Sequence, residues 1–286
     1  MTHALSTSRS SWPARAPRLV ATDLDGTLLG PGGSISPRTS AALRDAEDAG
    51  IEVVFVTARP PRWLAPLAPH VAGHGVAICA NGAAVVQVAT GRVLAEHGMS
   101  AELVTELAAA LRASLGEVHL AVERAAGFAA ERGYRDAHDV PPGSPVADRI
   151  EDVLTASTLK LLVRTATDHG DGHTAAVQSA IGTAALAVDS GAVGLGEISA
   201  LDVSKARALA RWAQERGVPS QDVWACGDAP NDLPMLAWAG ESFAVANANA
   251  EVRARARHTC PGHGDDGVAA VLEHATALAR QGVGRA

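Results

Sequence analysis

The chain has 286 residues, 47% of them hydrophobic and 19% charged, so it is long enough for one or two globular domains with real cores. A net charge of −7, with only five Trp, three Phe and one Tyr, argues against nucleic-acid binding, which usually requires a basic face or stacking aromatics. Three irregularly spaced cysteines favour a reducing cytoplasm over a disulfide framework. No apolar run approaches the roughly 20 residues that cross a bilayer, so no membrane partner is expected.

The N-terminal half begins with a tail and then alternates strands with helices. Residues 1–17 lack the apolar stretch of a signal peptide, and we expect a disordered tail, with an organellar transit peptide as the alternative. The pattern then predicts strands over 18–22, 51–56 and 75–79, a helix over 36–50 capped by Ser36, and a weak helix over 62–69. This alternation is typical of a parallel sheet with right-handed crossovers.

The pattern changes after residue 82 and returns near residue 200. The middle predicts a hairpin (83–88 and 92–95), a helix (100–115), short strands (118–122, 127–130, 159–164 and 184–189) and loops (140–146 and 168–173). The last part predicts helices over 204–216, 233–239, 250–257 and 267–279, and strands over 223–226 and 242–245. We therefore expect an α/β core of residues 18–84 and 200–286, interrupted by an inserted α+β module of residues 85–199.

Two carboxylates follow the first predicted strand. Asp23 and Asp25 stand two residues apart, with Gly26 and Thr27 directly after them. A carboxylate at the carboxyl end of a parallel strand is placed to attack phosphorus, and a second one nearby can manage the proton. An Asx turn with a glycine is the alternative for this motif.

Two further residues at predicted element ends suit phosphate binding. Thr57 closes the second strand, where a hydroxyl and free N–H groups can hold phosphate oxygens, although Thr is common there. Lys205 opens a helix against the helix dipole, which an anion at that point would explain. Lys205 and Lys160 are the only lysines of the chain. This rarity favours a specific role for Lys205 over a surface position.

The segment 227–232, Gly-Asp-Ala-Pro-Asn-Asp, follows another buried strand. Asp228, Asn231 and Asp232 form a cluster of hard oxygens suited to Mg²⁺. An N-cap explains one of the two acids but not both together with the amide. Two His-containing clusters, 168–173 and 258–263, lack the spacing of metal ligands and are read as solvated turns.

Taken together, Asp-Leu-Asp-Gly-Thr-Leu (23–28), Val-Thr-Ala-Arg (56–59), Ser-Lys (204–205) and 227–232 resemble the four motifs of the haloacid dehalogenase (HAD) superfamily. The long insertion is similar to that of the Cof-type, cap C2 phosphatases, and the likeness spans nearly the whole chain beyond residue 17. The resemblance implies a Rossmann-like core with a C2-type cap at residues 85–199.

The resemblance also implies roles for residues. Asp23 would be the nucleophile that becomes an aspartyl phosphate, and Asp25 would protonate the leaving group and then activate water. The remaining implied residues are, for phosphate, Thr57, Ala58, Lys205 and Asn231; for Mg²⁺, Asp23, Asp25 through its backbone carbonyl, Asp228 and Asp232; and for the substrate, Asn81, Gly82 and Lys160. An outward position of Lys160 is the alternative on an alternating strand.

Three departures from the family pattern stand in this sequence. Ala58 replaces a glycine, which is acceptable if its φ is negative. Asn247 stands where methionine is common and His263 where asparagine is common, and both are expected to alter the wall of the cleft.

The expected function is a Mg²⁺-dependent phosphatase of a small phosphorylated metabolite, with a sugar phosphate as the first candidate, acting as a monomer or homodimer. A glycosyl-phosphoglycerate or sucrose-phosphate type phosphatase is the close alternative, and a phosphomutase is disfavoured by the lack of a second arginine cluster. A non-catalytic metabolite-binding regulatory protein is the alternative from another class.

Overall fold

The computed structural model describes residues 12–71, 75–135, 140–165, 172–188 and 194–283. Its strands are β1 (Leu19–Thr22), β2 (Glu52–Val56), β3 (Val76–Cys79), β4 (Ala84–Gln87), β5 (Arg92–Glu96), β6 (Val118–Arg124), β7 (Gly127–Glu131), β8 (Val146–Ala147), β9 (Lys160–Thr165), β10 (Leu186–Val188), β11 (Leu195–Ser199), β12 (Val223–Gly227), β13 (Glu241–Val245) and β14 (His258–Cys260). Its helices are α1 (Pro37–Asp48), α2 (Ala101–Leu115), α3 (His173–Ile181), α4 (Lys205–Glu215), α5 (Leu233–Trp238), α6 (Ala250–Arg255) and α7 (Gly267–Val283).

The larger sheet has eight strands in the order β14-β13-β12-β1-β2-β3-β4-β5. The strands from β14 to β3 run parallel, and the hairpin β4–β5 adds two antiparallel strands at one edge. Every residue of β1 is buried, as expected for a central parallel strand covered on both faces. The predicted α/β core with a parallel sheet is confirmed.

The smaller sheet has six strands in the order β10-β11-β9-β6-β7-β8. Helices α2 and α3 cover one face, where leucine and valine side chains of the strands pack against both helices. The other face carries a separate cluster that includes Phe128, Tyr134 and Leu162. This second face also carries the charged residues described with the site below.

The predicted boundary between core and inserted module needs a correction. It was placed at residue 85, which falls inside β4, and β4 pairs with β3 of the larger sheet. Because β5 pairs in turn with β4, the hairpin belongs to the larger sheet although its outer strand is largely exposed. We therefore propose that the inserted module begins near residue 97.

Predicted helix starts are mostly confirmed by their caps. The hydroxyls of Ser36, Ser100 and Ser204 each accept a hydrogen bond from the backbone N–H three residues later. The weak helix predicted over 62–69 is instead a pair of short 3₁₀ turns, Pro61–Trp63 and Ala65–His70. Prolines in this stretch remove the N–H groups that an α-helix would need.

Four elements were not predicted from the sequence: α3, β8, β11 and β14. The strands have two to five residues, too few for a clear periodic pattern. Helix α3 begins inside the loop predicted over 168–173, so His173 is its first residue. The rest of that predicted His-Asp cluster, residues 168–171, lies outside the described residues.

The disordered tail predicted over residues 1–17 is wrong for residues 12–17. The Trp12 side chain is buried, with its ring 5.3 Å from that of Phe243 in an edge-on arrangement. Its Nε1 donates to the Thr259 backbone oxygen at 3.1 Å, and His274 lies within hydrogen-bond distance of the Pro13 oxygen. Trp12 thus extends the core beside β13 and α7.

All three cysteines are free and buried, in line with the absence of a predicted disulfide framework. Within the described ranges, none of the helices combines the length and apolar character that a bilayer span requires.

We expect Trp12→Ala to lower the free energy of unfolding by about 3 kcal/mol, because it leaves a cavity between Phe243 and His274. Urea denaturation of the variant and the wild type measures the difference. Leu201→Ala is the control, since the Leu201 side chain is 57% exposed. Equal stability of Trp12→Ala and wild type would instead support a disordered tail that includes Trp12.

Candidate active site

The site forms where three parallel strands of the larger sheet end. Asp23 follows β1, Thr57 follows β2 and Asp228 follows β12, and β1 lies between the other two strands in the sheet. The Asp23 N–H donates to the Cys226 oxygen at 3.0 Å, so Asp23 is still held by the strand ladder. The three residues therefore lie together at the carboxyl edge of the sheet, as predicted from the strand pattern.

Lys205 connects the residues at the centre of the site. Its Nζ lies 2.6 Å from Asp23 Oδ1 and 2.6 Å from Asp232 Oδ1, and the lysine side chain is 3% exposed. An ammonium has three N–H donors, so one remains for a further acceptor. This arrangement fits the predicted anion-binding role of a lysine at the start of α4.

Asp232 is the most deeply buried carboxylate of the site, with no exposed surface. Its Oδ1 accepts from Lys205, while its Oδ2 accepts from the backbone N–H groups of Asp228 and Ala229, both at 3.0 Å. A Cβ added at Gly227 would lie 2.7 Å from the Asp232 Cβ, so glycine is required where Asp232 packs over the strand end. Both oxygens of Asp232 are thus engaged by protein groups.

Burial controls the protonation of the central charges. It raises the pKa of Asp23 to about 7, against the opposing effect of the Lys205 ammonium, and it also raises the pKa of Asp228. Burial alone would lower the pKa of Lys205, but the carboxylates of Asp23 and Asp232 outweigh it and raise that pKa. A cation beside Asp23 would favour the ionised carboxylate, which is the form that can attack phosphorus.

The turn after Asp23 is built around Gly26 and Thr27. Gly26 has φ +77°, and a Cβ added there would lie 2.6 Å from Asp228 Oδ2. The Thr27 hydroxyl donates to Asp228 Oδ1 at 2.7 Å and so orients that carboxylate. Sequence reasoning gave Thr27 no role, although its place in the first motif was the available signal.

Asn247 and His263, the two departures from the family pattern, are linked to each other. Asn247 Nδ2 donates to the Gly26 oxygen at 2.8 Å, and its Oδ1 accepts from the His263 N–H at 2.8 Å. The His263 Nδ1 lies 2.8 Å from the Leu29 oxygen. The pair therefore holds both ends of the turn that follows Asp23.

The residues present fit a divalent cation. Oxygens of Asp23, Asp228 and Asp232 lie within 4.8 Å of one another, and this is the one group of at least three potential metal ligands that the described residues contain. Three carboxylates face a single ammonium, so two negative charges lack a cation among these four residues. Because both Asp232 oxygens already accept hydrogen bonds, Asp23 and Asp228 are better placed to supply ligands, and Asp232 to orient Lys205.

Asp25 is held by a residue that the sequence analysis left without a role. Arg59 Nε donates to Asp25 Oδ2 at 2.8 Å and Arg59 Nη2 donates to Oδ1 at 2.6 Å. The Arg59 side chain is 19% exposed and that of Asp25 is 59% exposed. The two residues are 34 positions apart, and no motif spacing pointed to this pairing.

Thr57 and Ala58, the residues predicted to bind phosphate after β2, follow that strand directly. Thr57 is buried, and its Oγ1 accepts from the Arg59 N–H at 3.0 Å, which leaves its own proton free to be donated. Ala58 is not among the described residues with positive φ, so alanine is acceptable there. On the β12 side, Asn231 Oδ1 is buried and lacks a hydrogen-bond partner among the described residues.

Asn81 and Gly82 follow β3 beside Thr57. Ala80 and Asn81 have φ values of 50° and 58°, a left-handed conformation that costs free energy in non-glycine residues and is typical of functional sites. Asn81 donates its N–H to the Thr57 oxygen, while both polar atoms of its buried side chain lack partners in the described part of the chain. Gly82 has a packing role, since a Cβ there would lie 2.6 Å from the Ser204 oxygen.

Lys160 is not outward-facing, which settles the alternative left open by its alternating strand. It is 3% exposed and forms an ion pair with Glu197 on the face of the smaller sheet that is not covered by helices. On the same face, Glu123 is paired with Arg62 of the larger domain. Buried charges of both signs therefore lie on this face of the inserted module.

The second His-containing cluster does not form a metal site. His258 Nε2 lies 2.7 Å from Glu241 Oε2, Cys260 is buried in β14, and His263 contacts Leu29 as described above. These contacts are structural. The solvated turn expected over residues 258–263 is wrong for His258–Cys260, which form β14 and pair with β13.

Comparison with known proteins identifies the family. The model of the haloacid dehalogenase-like hydrolases matches residues 20–272 of this chain. The chain belongs to that family. The resemblance inferred from the four motifs is thereby confirmed, and the match runs through both sheets of the HAD hydrolase.

Curated relatives and solved structures agree with this assignment. The pyridoxal phosphate phosphatase YbhA of Escherichia coli is 28% identical over 254 residues, covering 84% of this chain and 91% of the relative. The 5-amino-6-(5-phospho-D-ribitylamino)uracil phosphatase YcsE of Bacillus subtilis is 24% identical over 267 residues, covering 90% and 95%. The structure of BT1666 from Bacteroides thetaiotaomicron superposes with a TM-score of 0.77 at 23% identity, covering 97% of this chain and 100% of that one.

These relatives are named phosphatases, and the HAD hydrolase is accordingly a phosphoric monoester hydrolase. The fold predicted from the sequence, a Rossmann-like core carrying an inserted α+β cap, is the fold of the solved relatives.

We expect Mg²⁺ to raise the melting temperature of the protein, because an ion that binds only the folded state stabilises it by about 2.7 kcal/mol at a hundredfold excess over its Kd. Differential scanning calorimetry with Mg²⁺ and with EDTA measures the shift. Asp228→Asn keeps an acceptor for Thr27 and removes one charge, so the shift should largely disappear.

The matched control is Asp148→Asn, which changes a carboxylate that is 81% exposed in the inserted module. Its Mg²⁺-induced shift should equal that of the wild type. An equally large shift in Asp228→Asn would place the cation elsewhere.

Proposed function

We propose that this HAD hydrolase is a Mg²⁺-dependent phosphatase that cleaves small phosphorylated metabolites through an aspartyl phosphate on Asp23. The observation that carries the proposal is the buried contact of Lys205 with both Asp23 and Asp232, beside Asp228, at the end of β1. In this cluster the Lys205 ammonium lies beside the carboxylate and can also bind a phosphate dianion. A carboxylate with a purely structural role would need no unused donor beside it.

In the first step, an Asp23 carboxylate oxygen attacks phosphorus and the bond from phosphorus to the leaving oxygen breaks. Asp25, protonated at the start, gives its proton to that oxygen, so an alcohol leaves and Asp23 carries the phosphoryl group as an acyl phosphate. Charge is balanced because Asp25 becomes a carboxylate as the Asp23 carboxylate is consumed.

In the second step, Asp25 takes a proton from water as the water oxygen attacks phosphorus. The bond between phosphorus and the Asp23 oxygen breaks, inorganic phosphate is released, and both carboxyl groups return to their initial states. One residue thus serves as acid and then as base, which requires it to stay next to the reacting phosphorus throughout.

The phosphoryl oxygens are assigned to donors at the ends of β2 and α4. Lys205 has one unused N–H and Thr57 has a free hydroxyl proton, and both would stabilise charge on these oxygens in the transition state. Asn231 is assigned to the same group because a side-chain amide nitrogen can donate to a phosphoryl oxygen, and the buried Asn231 Oδ1 has no partner among the described residues that would assign the side chain a structural role.

Mg²⁺ would be held by the carboxylates of Asp23 and Asp228 and by the backbone carbonyl of Asp25. When bound, it would screen the repulsion between the Asp23 carboxylate and the phosphate dianion. Asp232 is proposed to support this arrangement through Lys205 and through the backbone of Asp228.

The substrate class proposed is a phosphate ester of a small polar metabolite. Two relatives named above act, by their names, on pyridoxal phosphate and on 5-amino-6-(5-phospho-D-ribitylamino)uracil, each a nitrogen heterocycle bearing a phosphate ester. A panel should therefore contain such compounds beside the sugar phosphates first expected. Asn81 and Lys160 are proposed to contribute to substrate recognition. The buried Asn81 amide has no partner among the described residues, and the buried Lys160 ammonium keeps donors beyond its ion pair with Glu197.

We expect Asp23→Asn to lose Mg²⁺-dependent hydrolysis of 4-nitrophenyl phosphate by on the order of 10⁴-fold, because the amide is no longer a nucleophile. Release of 4-nitrophenolate with Mg²⁺ and with EDTA gives the rates. In the wild type, acid quenching during turnover should place the phosphoryl group on the peptide that contains Asp23.

Asp45→Asn is the matched control, since Asp45 is an exposed carboxylate of α1 that is paired with Arg280 of α7. It should retain the wild-type rate. Turnover of Asp23→Asn at the wild-type rate would overturn the nucleophile assignment, and inactivity of the wild type on the whole panel would favour a metabolite-binding protein.

A further inference from the structure

The segment Arg59–Trp63, Arg-Pro-Pro-Arg-Trp, links two distant parts of the molecule through its two arginines. We call it the two-arginine segment. It begins two residues after Thr57, which is proposed to bind phosphate, and each arginine makes a two-point contact with a carboxylate. Arg59 binds Asp25 beside the nucleophile, and Arg62 binds Glu123 on β6 of the inserted module.

The contact with Asp25 fixes the orientation of its carboxylate. Two N–H···O bonds from one guanidinium, at 2.8 and 2.6 Å, hold both oxygens of the Asp25 carboxylate. Each oxygen keeps a lone pair, so one of them can carry the proton that the leaving oxygen receives while Arg59 remains in contact. Arg59 itself is anchored, because its N–H donates to Thr57 Oγ1 and its oxygen accepts from the Ala80 N–H.

The contact with Glu123 is buried. Arg62 donates to Glu123 through Nε at 3.0 Å and through Nη2 at 2.6 Å, and the Glu123 side chain is 4% exposed. The Arg62 guanidinium also lies over the rings of Trp63 and Phe128, at 4.8 and 5.1 Å from their centroids. Arg62 is thus enclosed by groups of the larger domain and of the inserted module. Its position therefore depends on where β6 lies.

The two contacts are joined by a stiff connection. Pro60 and Pro61 fix two successive φ angles between the arginines, and the Trp63 N–H donates to the Pro60 oxygen at 3.0 Å. We therefore expect a displacement of β6 that moves Arg62 to move Arg59 as well.

We propose that Arg59 is the positioning residue for Asp25, and that the Glu123–Arg62 contact sets this position according to how the inserted module is seated. The inference rests on the proposed function of Asp25 as the group that protonates the leaving oxygen. When the inserted module contacts its substrate, Asp25 lies beside the leaving oxygen. When the module is displaced, Asp25 moves away from that oxygen.

Leaving groups with different needs for a proton separate this role from a general one. An alkoxide is too basic to leave without a proton, whereas 4-nitrophenolate leaves unprotonated. A misplaced Asp25 therefore slows the hydrolysis of alkyl phosphates and largely spares 4-nitrophenyl phosphate. A variant that disturbs the fold, the nucleophile or the phosphate donors slows both substrates alike.

The experiment compares kcat/KM for glycerol 1-phosphate and for 4-nitrophenyl phosphate in Arg59→Gln, Arg62→Gln and Glu123→Gln. We expect Arg59→Gln to lose at least about 10-fold more activity on the alkyl ester than on the aryl ester. Arg62→Gln and Glu123→Gln should change this ratio in the same direction by a smaller factor. The double variant of Arg59 and Arg62 should match Arg59→Gln, since both act through Asp25.

The control is Arg38→Gln, which breaks a two-point contact with Glu273 between α1 and α7, at 2.8 and 2.8 Å. Its substrate ratio should equal that of the wild type. Melting temperatures with Mg²⁺ check that each variant is folded. If Glu123→Gln fails to fold, Arg62→Lys replaces it, since it keeps the charge but loses the two-point geometry.

An unchanged ratio in Arg59→Gln would overturn the positioning role, and an unchanged ratio in both Arg62→Gln and Glu123→Gln would overturn the link to the inserted module. Wild-type protein that hydrolyses neither ester, nor any ester of the panel, would instead refute the proposed function itself. The two failures are therefore distinguishable.

Discussion

The site depends on one buried ammonium that two carboxylates share. Lys205 is enclosed between Asp23 and Asp232, and withdrawing these three charges from water carries a desolvation cost that only their mutual contacts offset. Without Lys205, two carboxylates would remain buried with no cation from the protein. The lysine lies at the start of α4, where the helix dipole disfavours it, so the acids and not the helix explain its position.

Much of the surrounding backbone is arranged so that this contact can form. Gly82 lets the turn after β3 approach Ser204, which caps α4. Gly227 leaves room for Asp232 above the end of β12, and two N–H groups hold the second oxygen of that carboxylate. Both glycines stand where any side chain would overlap a neighbour, which explains why the motifs combine glycine with charged residues.

The proposed division of labour follows from the two sheets. The larger sheet would supply the proposed nucleophile and its supporting charges from the ends of neighbouring parallel strands. One face of the smaller sheet is not covered by its helices α2 and α3. This face carries buried charged residues, including Lys160, Glu197 and Glu123. The two-arginine segment is one place where the two parts meet, and its contacts would couple the reaction to substrate selection.

Prediction from the sequence succeeded where the relevant groups follow buried strands. Asp23, Thr57 and Asp228 each come directly after such a strand, and parallel strands end at a common edge. The contacts of Arg59 with Asp25 and of Trp12 with Phe243 were missed, because their partners are 34 and 231 positions apart and side-chain direction decides them. The hairpin β4–β5 was placed in the wrong part for a similar reason, since strand pairing is not visible in a strand's own residues.

The sequence by itself determined the family, the α/β architecture and the residues of the four motifs, because these are fixed by local patterns of apolar, glycine and acidic residues. Only the tertiary structure decided which charges face each other. In the folded protein, ion pairs form between Asp232 and Lys205, Arg59 and Asp25, Arg62 and Glu123, and Lys160 and Glu197. Ion pairing depends on distances of a few ångströms between side chains remote in sequence, and folding alone brings them that close.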